Sequence, residues 1–435
     1  MTSRSKTRTP ATKDRFVKPE EAIKAVKSGD RVFISTPAEP TVLIEALLAE
    51  KDRLENVNLI SGLSFGPYTF LQEEYLETFH YSTWQISLQA AHFIRERKAH
   101  FLPVCYSLLP DLMAPGGPLA IDVCLVSLSP PDQEGHLSLG VSVGHALAAI
   151  KIAPVVLAEV NRKMPRTLGR CQVHISEIDY LVESDHHLFE VPPRQPTEVE
   201  RRIGERLTSL VPDGATMQIG FGGLTNAIYG FLNDKKDLGV HSGMITDGIM
   251  ALIEAGVITN SKKTLNPGRT VTGEMVGSRN LFDYVRENPA VEVQPPEYTH
   301  RPSVIGRLDN FCAINSAVEI DLTGQVNAES VDGLQLGAGG LFEFALGASL
   351  SPGGRCILAL PSTAKHGKVS RIVSRLGAGV PVTIPRSLVH FVVTEFGVAD
   401  LRGRSIVERA ELLSALAHPD FRNELRRGHS RELGD

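Results

Sequence analysis

DGATMQIGFGGLTNAIYGFLNDKKDLGVHSGMITDG, residues 213–248, is the stretch that decides the fold. Thr216 to Ile219 predict a short apolar strand. It runs into a glycine loop, Gly220-Phe221-Gly222-Gly223, and then a helix starting near Thr225 or Asn226. Both residue types cap helix N-termini with a side-chain oxygen. A second strand-like piece reaches Gly243. Glycines at a strand-to-helix turn let a ligand approach the backbone closely, and free amides at a helix start attract an anion or a developing oxyanion. The segment is a candidate reaction site.

The chain repeats this order of elements. Residues 28–47, SGDRVFISTPAEPTVLIEAL, align without gaps to residues 213–232. Both read as a turn at glycine (Gly29, Gly214), a strand, a loop of small residues and an apolar-spaced helix. Each is preceded by a helical pattern, Pro19 to Val26 and Pro196 to Leu210. Two related α/β halves follow from this shared order. The proline-rich residues 191–197, VPPRQPT, mark the junction, which gives units at 18–190 and 198–435. Strand candidates in the first half include Val57–Ile60, Val123–Leu128, Val155–Val160 and Tyr180–Val182. Those in the second include Val271–Thr272, Cys312–Ile314, Cys356–Leu360, Pro381–Ile384 and Phe391–Thr394. Helical patterns lie between several of them. Such alternation predicts an α/β fold with mainly parallel sheets covered on both faces, whose ligands sit at the C-terminal ends of strands.

Composition narrows the function. A chain of 435 residues exceeds one ordinary domain, and 42% hydrophobic with 22% charged residues suits a globular enzyme with a large core. The net charge is -5 and no basic block stands out, which argues against a nucleic-acid partner. The longest apolar run, Leu147 to Ala158, is broken by Lys151 and Pro154, so no membrane span is expected. Cys105, Cys124, Cys171, Cys312 and Cys356 form no C-x-x-C pair. They read as thiols of a reducing cytoplasm, with no metal site and no disulfide framework. Residues 1–17 read as a disordered tail; the first 13 are basic and lack the apolar core of a signal peptide.

A second glycine loop is Gly337-Ala338-Gly339-Gly340, before the helical stretch Leu341–Leu346. Neither loop has the spacing G-x-G-x-x-G, and no G-x-x-x-x-G-K is present, so dinucleotide and P-loop readings fail. Each loop alone reads as a turn. Several in one half point to a phosphate, pantetheine or oxyanion site. The run from Pro361 to Arg371 carries Lys365, Lys368 and Arg371 after a strand, and either holds ligand phosphates or is a solvated loop. Glu395 with Arg402 or Arg404 reads as a structural ion pair. His241, His300 and His366 lie near glycine loops without a Ser-x-Gly elbow.

The run AINSAVEIDLTGQVNAES at 313–330 resembles the acetyl-CoA hydrolase/transferase family, which includes 4-hydroxybutyrate CoA-transferase. So do SPPDQEGHLSLG at 129–140, SPGGRCILALPSTA at 351–364, VTEFGVADLRGRS at 393–405 and AHPDFR at 417–422. The resemblance covers nearly the whole chain from about residue 18. It implies two CoA-transferase-type α/β domains, usually as a homodimer, with coenzyme A and a small carboxylate as substrates and no metal. It also implies a glutamate that attacks the acyl-CoA thioester and carries CoA as a glutamyl thioester. By resemblance Gly220, Phe221, Gly222, Gly223 and Leu224 form one CoA-contacting loop, and Gly337, Gly339 and Gly340 another.

The chain departs from the family at the reacting centre. The family reads His-(Ser/Thr)-Glu-Met-x-x-Asp-Gly where residues 241–248 read HSGMITDG, so Gly243 stands at the nucleophile's position. His300 stands where an asparagine is common. Three readings follow. CoA transfer between a short acyl-CoA, such as acetyl-CoA, and a carboxylate such as 4-hydroxybutyrate persists, with Glu274 as substitute nucleophile. Alternatively, Gly243 leaves room for a water or carboxylate, and His300 acts as general base in hydrolysis or direct transfer. In the third reading the protein binds CoA without catalysis.

Overall fold

The computed structural model describes residues 16–433. Fifteen residues of the expected tail lie outside that span. The last two do not continue a tail, because Phe16 bridges Leu181 and the Val17 amide donates to the Leu181 carbonyl at 2.9 Å.

Two sheets organise the chain. The first has seven strands in the spatial order Ala99–Phe101, Phe79–Thr83, Val57–Ser61, Arg31–Ile34, Val123–Leu128, Val155–Asn161 and Tyr180–Ser184. All its neighbours pair in parallel. The second runs Gly239–Val240, Thr216–Ile219, Phe311–Ser316, Arg355–Ala359, Phe391–Thr394 and Gly397–Asp400. Its last pair alone is antiparallel. The fold is therefore α/β with mainly parallel sheets. Val123–Leu128 is buried at every position, as a strand covered on both faces must be.

The internal repeat has a topological meaning. Arg31–Ile34 and Thr216–Ile219 are each the strand at which their sheet's order reverses, pairing with a strand on either side. Crevices open outside the carboxyl ends of strands at such reversals. Both strands are entered by a glycine in the left-handed region, Gly29 at φ +82° and Gly214 at φ +74°. The two glycine amides donate to Glu55 and Lys236 carbonyls, each at 2.9 Å.

Several expected elements shift. The helix after the glycine loop starts at Gly223, with Gly222 as its N-cap, and lasts only to Asn226 before a 3-10 turn over Ala227–Phe231. Thr225 does not cap an amide; its hydroxyl donates to the Gly220 and Gly222 carbonyls. Gly222, at φ +148°, makes the turn earlier than the sequence suggested. Pro381–Ile384 is not a strand. Thr383 and Ile384 amides both point to the Val326 carbonyl, and Ile384 alone forms a bridge. Prolines at 381 and 385 remove two ladder donors there.

The halves are joined by main-chain bonds. Met275 donates to Val141 at 3.0 Å, and Val293 donates to Leu168 while accepting from Arg170, both at 2.8 Å. One buried cluster runs from Phe33 through Met217 to Val393, so the largest core belongs to both halves.

Candidate active site

A cavity of about 600 Å³ opens beyond the carboxyl end of Thr216–Ile219, lined by both halves. Gly220, Phe221 and Gly222 form one wall, and the Gly220 amide donates to Ile314 at 2.8 Å. Phe221 is 39% exposed and meets Phe65 of the first half edge-on, centroids 5.7 Å apart. Gly223 and Leu224 lie outside the lining. A Cβ on Gly223 would stand 1.8 Å from the Arg194 guanidinium, which chelates Glu200. Only four residues of α-helix follow the loop, so the helix start offers less to an anion than the sequence suggested.

Gly337, Ala338, Gly339 and Gly340 also line the cavity. Gly337 has φ +85°, and a Cβ there would come within 2.3 Å of the Trp84 carbonyl. Only glycine lets this loop lie on the first half's backbone. Beside it, Ile86 N donates to Leu336 O at 2.9 Å.

Gly243 and Glu274 both line the cavity and meet there. Their segments form a short parallel ladder, Met244 opposite Glu274, and the Glu274 amide donates to the Gly243 carbonyl at 2.9 Å. The Glu274 carboxylate accepts from the Tyr106 hydroxyl at 3.2 Å. Burial pushes its pKa up to about 8, against the opposing effect of that hydrogen bond. A Cβ at Gly144 would stand 2.4 Å from Oε1, so a first-half glycine makes room for the carboxylate.

His300 stands close to Gly243. A Cβ there would lie 2.5 Å from the His300 ring, which is packed against Tyr106 and Phe344 at 4.4 and 4.8 Å between centroids. The imidazole occupies the place of a side chain at 243, while Gly243 also borders the cavity. His300 is 6% exposed, its Nδ1 shares a hydrogen bond of 2.8 Å with Thr299 Oγ1, and desolvation holds its pKa well below the usual value. His241 is buried, with Nε2 at 3.1 Å from the Thr299 carbonyl, and His366 lies on an exposed turn.

Two residues that sequence reading missed complete the site. Tyr106 lines the cavity from the first half. Glu343, on the second-half helix Leu341–Leu350, accepts the Tyr106 and Ser107 amides at 3.0 and 2.9 Å. Their partners are more than 160 residues away in the chain, so no local pattern could mark them.

The segment 361–371 folds as a small hairpin, Thr363–Ala364 against Val369–Ser370, beside a second cavity of about 420 Å³. Lys365 pairs with Asp332 at 3.0 Å, while among the described residues the buried Arg371 Nε has no hydrogen-bond partner. Glu395 does not pair with Arg402 or Arg404. It accepts the Ser362 amide and hydroxyl at 2.9 and 2.6 Å, and the two arginines bond Asp400 and Glu408. Ser362 is fully buried, so the carboxylate is used inward. Among the described residues, no group of three or more His, Cys, Asp or Glu could hold a metal ion, and no helix is long and apolar enough to cross a membrane.

This arrangement has counterparts. The sequence matches the acetyl-CoA hydrolase/transferase N-terminal domain over residues 1–192 and the C-terminal domain over 277–429. It is 41% identical to 4-hydroxybutyrate coenzyme A transferase of Clostridium kluyveri, over 95% of this chain and 96% of that one. The structure is similar to that of RipA from Yersinia pestis, with a TM-score of 0.91 and 35% identity over 97% and 98% of the two chains. It is also similar to a 4-hydroxybutyrate CoA-transferase from Porphyromonas gingivalis, with a TM-score of 0.83 and 37% identity over 97% and 98%. A chain matched along both halves by sequence and by fold belongs to the acetyl-CoA hydrolase/transferase family.

Proposed function

We propose that this enzyme transfers coenzyme A between a short acyl-CoA and a small carboxylate such as acetate or 4-hydroxybutyrate, with Glu274 as the nucleophile. The observation that carries the reading is Glu274, a carboxylate residue lining the cavity, whose amide donates to the Gly243 carbonyl. One Glu274 oxygen attacks the thioester carbon, the C–S electron pair leaves with CoA sulfur, and a mixed anhydride forms. The thiolate then attacks Cδ of Glu274 and releases the first carboxylate. The second carboxylate takes up CoA by the reverse steps, so thioester energy is conserved. The loops Gly220–Gly222 and Gly337–Gly340 flank the pantetheine arm and offer backbone amides to the oxyanions; Gly223 and Leu224 support the first loop from outside the cavity.

Hydrolysis through His300 is the weaker reading. Its imidazole is desolvated, so the imidazolium that a general base must become is disfavoured. The division into units 18–190 and 198–435 is part of the proposal, supported by one sheet in each. So are a homodimer, which the family implies, and a cytoplasmic location, which five unpaired thiols fit.

The test is intact-mass analysis after incubation with acetyl-CoA, beside a coupled assay with and without acetate. The expected outcome is a CoA adduct that acetate discharges. Glu274→Gln should lose the adduct and slow transfer by at least about a thousand-fold. Only the carboxylate attacks, so turnover should rise as pH increases through about 8. Full activity in Glu274→Gln sinks the assignment.

A further inference from the structure

We propose that Tyr106 is a second catalytic residue, whose hydroxyl donates to Oε1 of Glu274 and stabilises the oxyanion formed there when a carboxylate attacks the glutamyl thioester. The inference rests on Glu274 being the nucleophile. In the glutamyl thioester Cδ carries the sulfur of CoA and one oxygen. The donor 3.2 Å from Oε1 is Tyr106 Oη, supplied by the other half of the chain.

The phenol is held in place from several sides. Its ring packs on His145 and His300, with centroids at 4.3 and 4.4 Å. Its amide is bound by Glu343 at 3.0 Å, and its carbonyl lies 2.8 Å from His145 Nε2. Oε1 in turn sits in the space that Gly144 leaves free. A donor fixed this firmly does not reorganise as charge develops, which is the condition for electrostatic stabilisation of a tetrahedral intermediate. Burial also holds the phenol pKa well above its usual value, so the hydroxyl stays protonated across the working range.

The step balances as follows. An oxygen of the incoming carboxylate bonds to Cδ, and the carbonyl electron pair moves to Oε1, where the Tyr106 O–H hydrogen bond strengthens. Collapse restores the carbonyl and expels CoA as thiolate. The products are a mixed anhydride of Glu274 with the new carboxylate and a thiolate that then attacks its acyl carbon. The phenolic proton stays on Tyr106 throughout.

Tyr106→Phe keeps the ring and removes the donor. The full-length variant is loaded with acetyl-CoA and the adduct is followed by mass after acetate is added. The expected result is that the adduct still forms but is discharged about 100- to 1,000-fold more slowly. Discharge at the parental rate overturns the role of Tyr106. Absence of any adduct in the parent enzyme overturns Glu274 as nucleophile, and this inference with it. Fluorotyrosine in place of Tyr106 keeps fold and hydroxyl while strengthening the donor. Faster discharge is expected there, and an unchanged rate speaks against the proposal even where Tyr106→Phe folds poorly.

Discussion

Gly243 and His300 form one packing unit. A side chain at 243 would enter the volume now held by the His300 ring, and that ring is fixed between Tyr106 and Phe344. A glutamate at 243 and a histidine at 300 therefore exclude one another in this packing. Gly243→Glu alone should cost about 1–3 kcal/mol of stability through overpacking. Combined with His300→Asn, it should cost less than the sum of the two single changes, with a coupling of about 0.5–3 kcal/mol for residues in contact. Thermal or denaturant unfolding of the four proteins measures this. Strict additivity would mean that the ring yields freely and that the two positions are independent. The sequence shows both residues but not their link, because positions 243 and 300 meet only through the fold.

Among the elements, the two glycine loops do different work. Gly220–Gly223 follows a strand at a sheet reversal, while Gly337–Gly340 is pressed against the first half. The second loop is the more sensitive. Gly337→Ala adds a methyl 2.3 Å from a main-chain carbonyl that cannot swing away, at a position already in the left-handed region. Gly333→Ala, in the turn just before it, meets nothing within 4 Å and bears only the backbone strain of φ +76°. The first change should lower stability by about 1–3 kcal/mol more than the second. It should also reduce kcat/KM for acyl-CoA by up to about a hundred-fold, since sub-ångström placement of the cavity wall is disturbed. Equal effects of the two substitutions would show that the close approach at Trp84 is unimportant. Elements set by local pattern were legible in advance: strands Val123–Leu128 and Phe391–Thr394 stand where alternation and apolar runs put them. The strands Phe79–Thr83 and Ala99–Phe101, at one end of the first sheet, were not, because half-buried strands carry polar residues that dilute the signal. The onset of the helix at Gly223 was missed because a glycine N-cap lacks the side-chain oxygen that marks such positions.

At the scale of the whole molecule, repeat and junction suggest two units that could unfold separately, since domains with their own cores often do. The packing argues otherwise. The largest buried cluster takes residues from both sheets, and main-chain bonds at Val141, Leu168 and Arg170 cross between halves. Glu343 adds a carboxylate that accepts two amides of the other half, and each hydrogen bond to a charged group is worth about 1.5–3 kcal/mol. The reacting centre has the same dependence, because Glu274 comes from one half and Tyr106 and Gly144 from the other. Calorimetry of the full chain should therefore give a single transition in which calorimetric and van't Hoff enthalpies agree. Acetyl-CoA at about 100 times its dissociation constant should stabilise the protein by about 2.7 kcal/mol and move that transition as a whole. Two resolved transitions, with ligand shifting only one, would mean that the halves are energetically separate and that the site is assembled by docking rather than by a shared core.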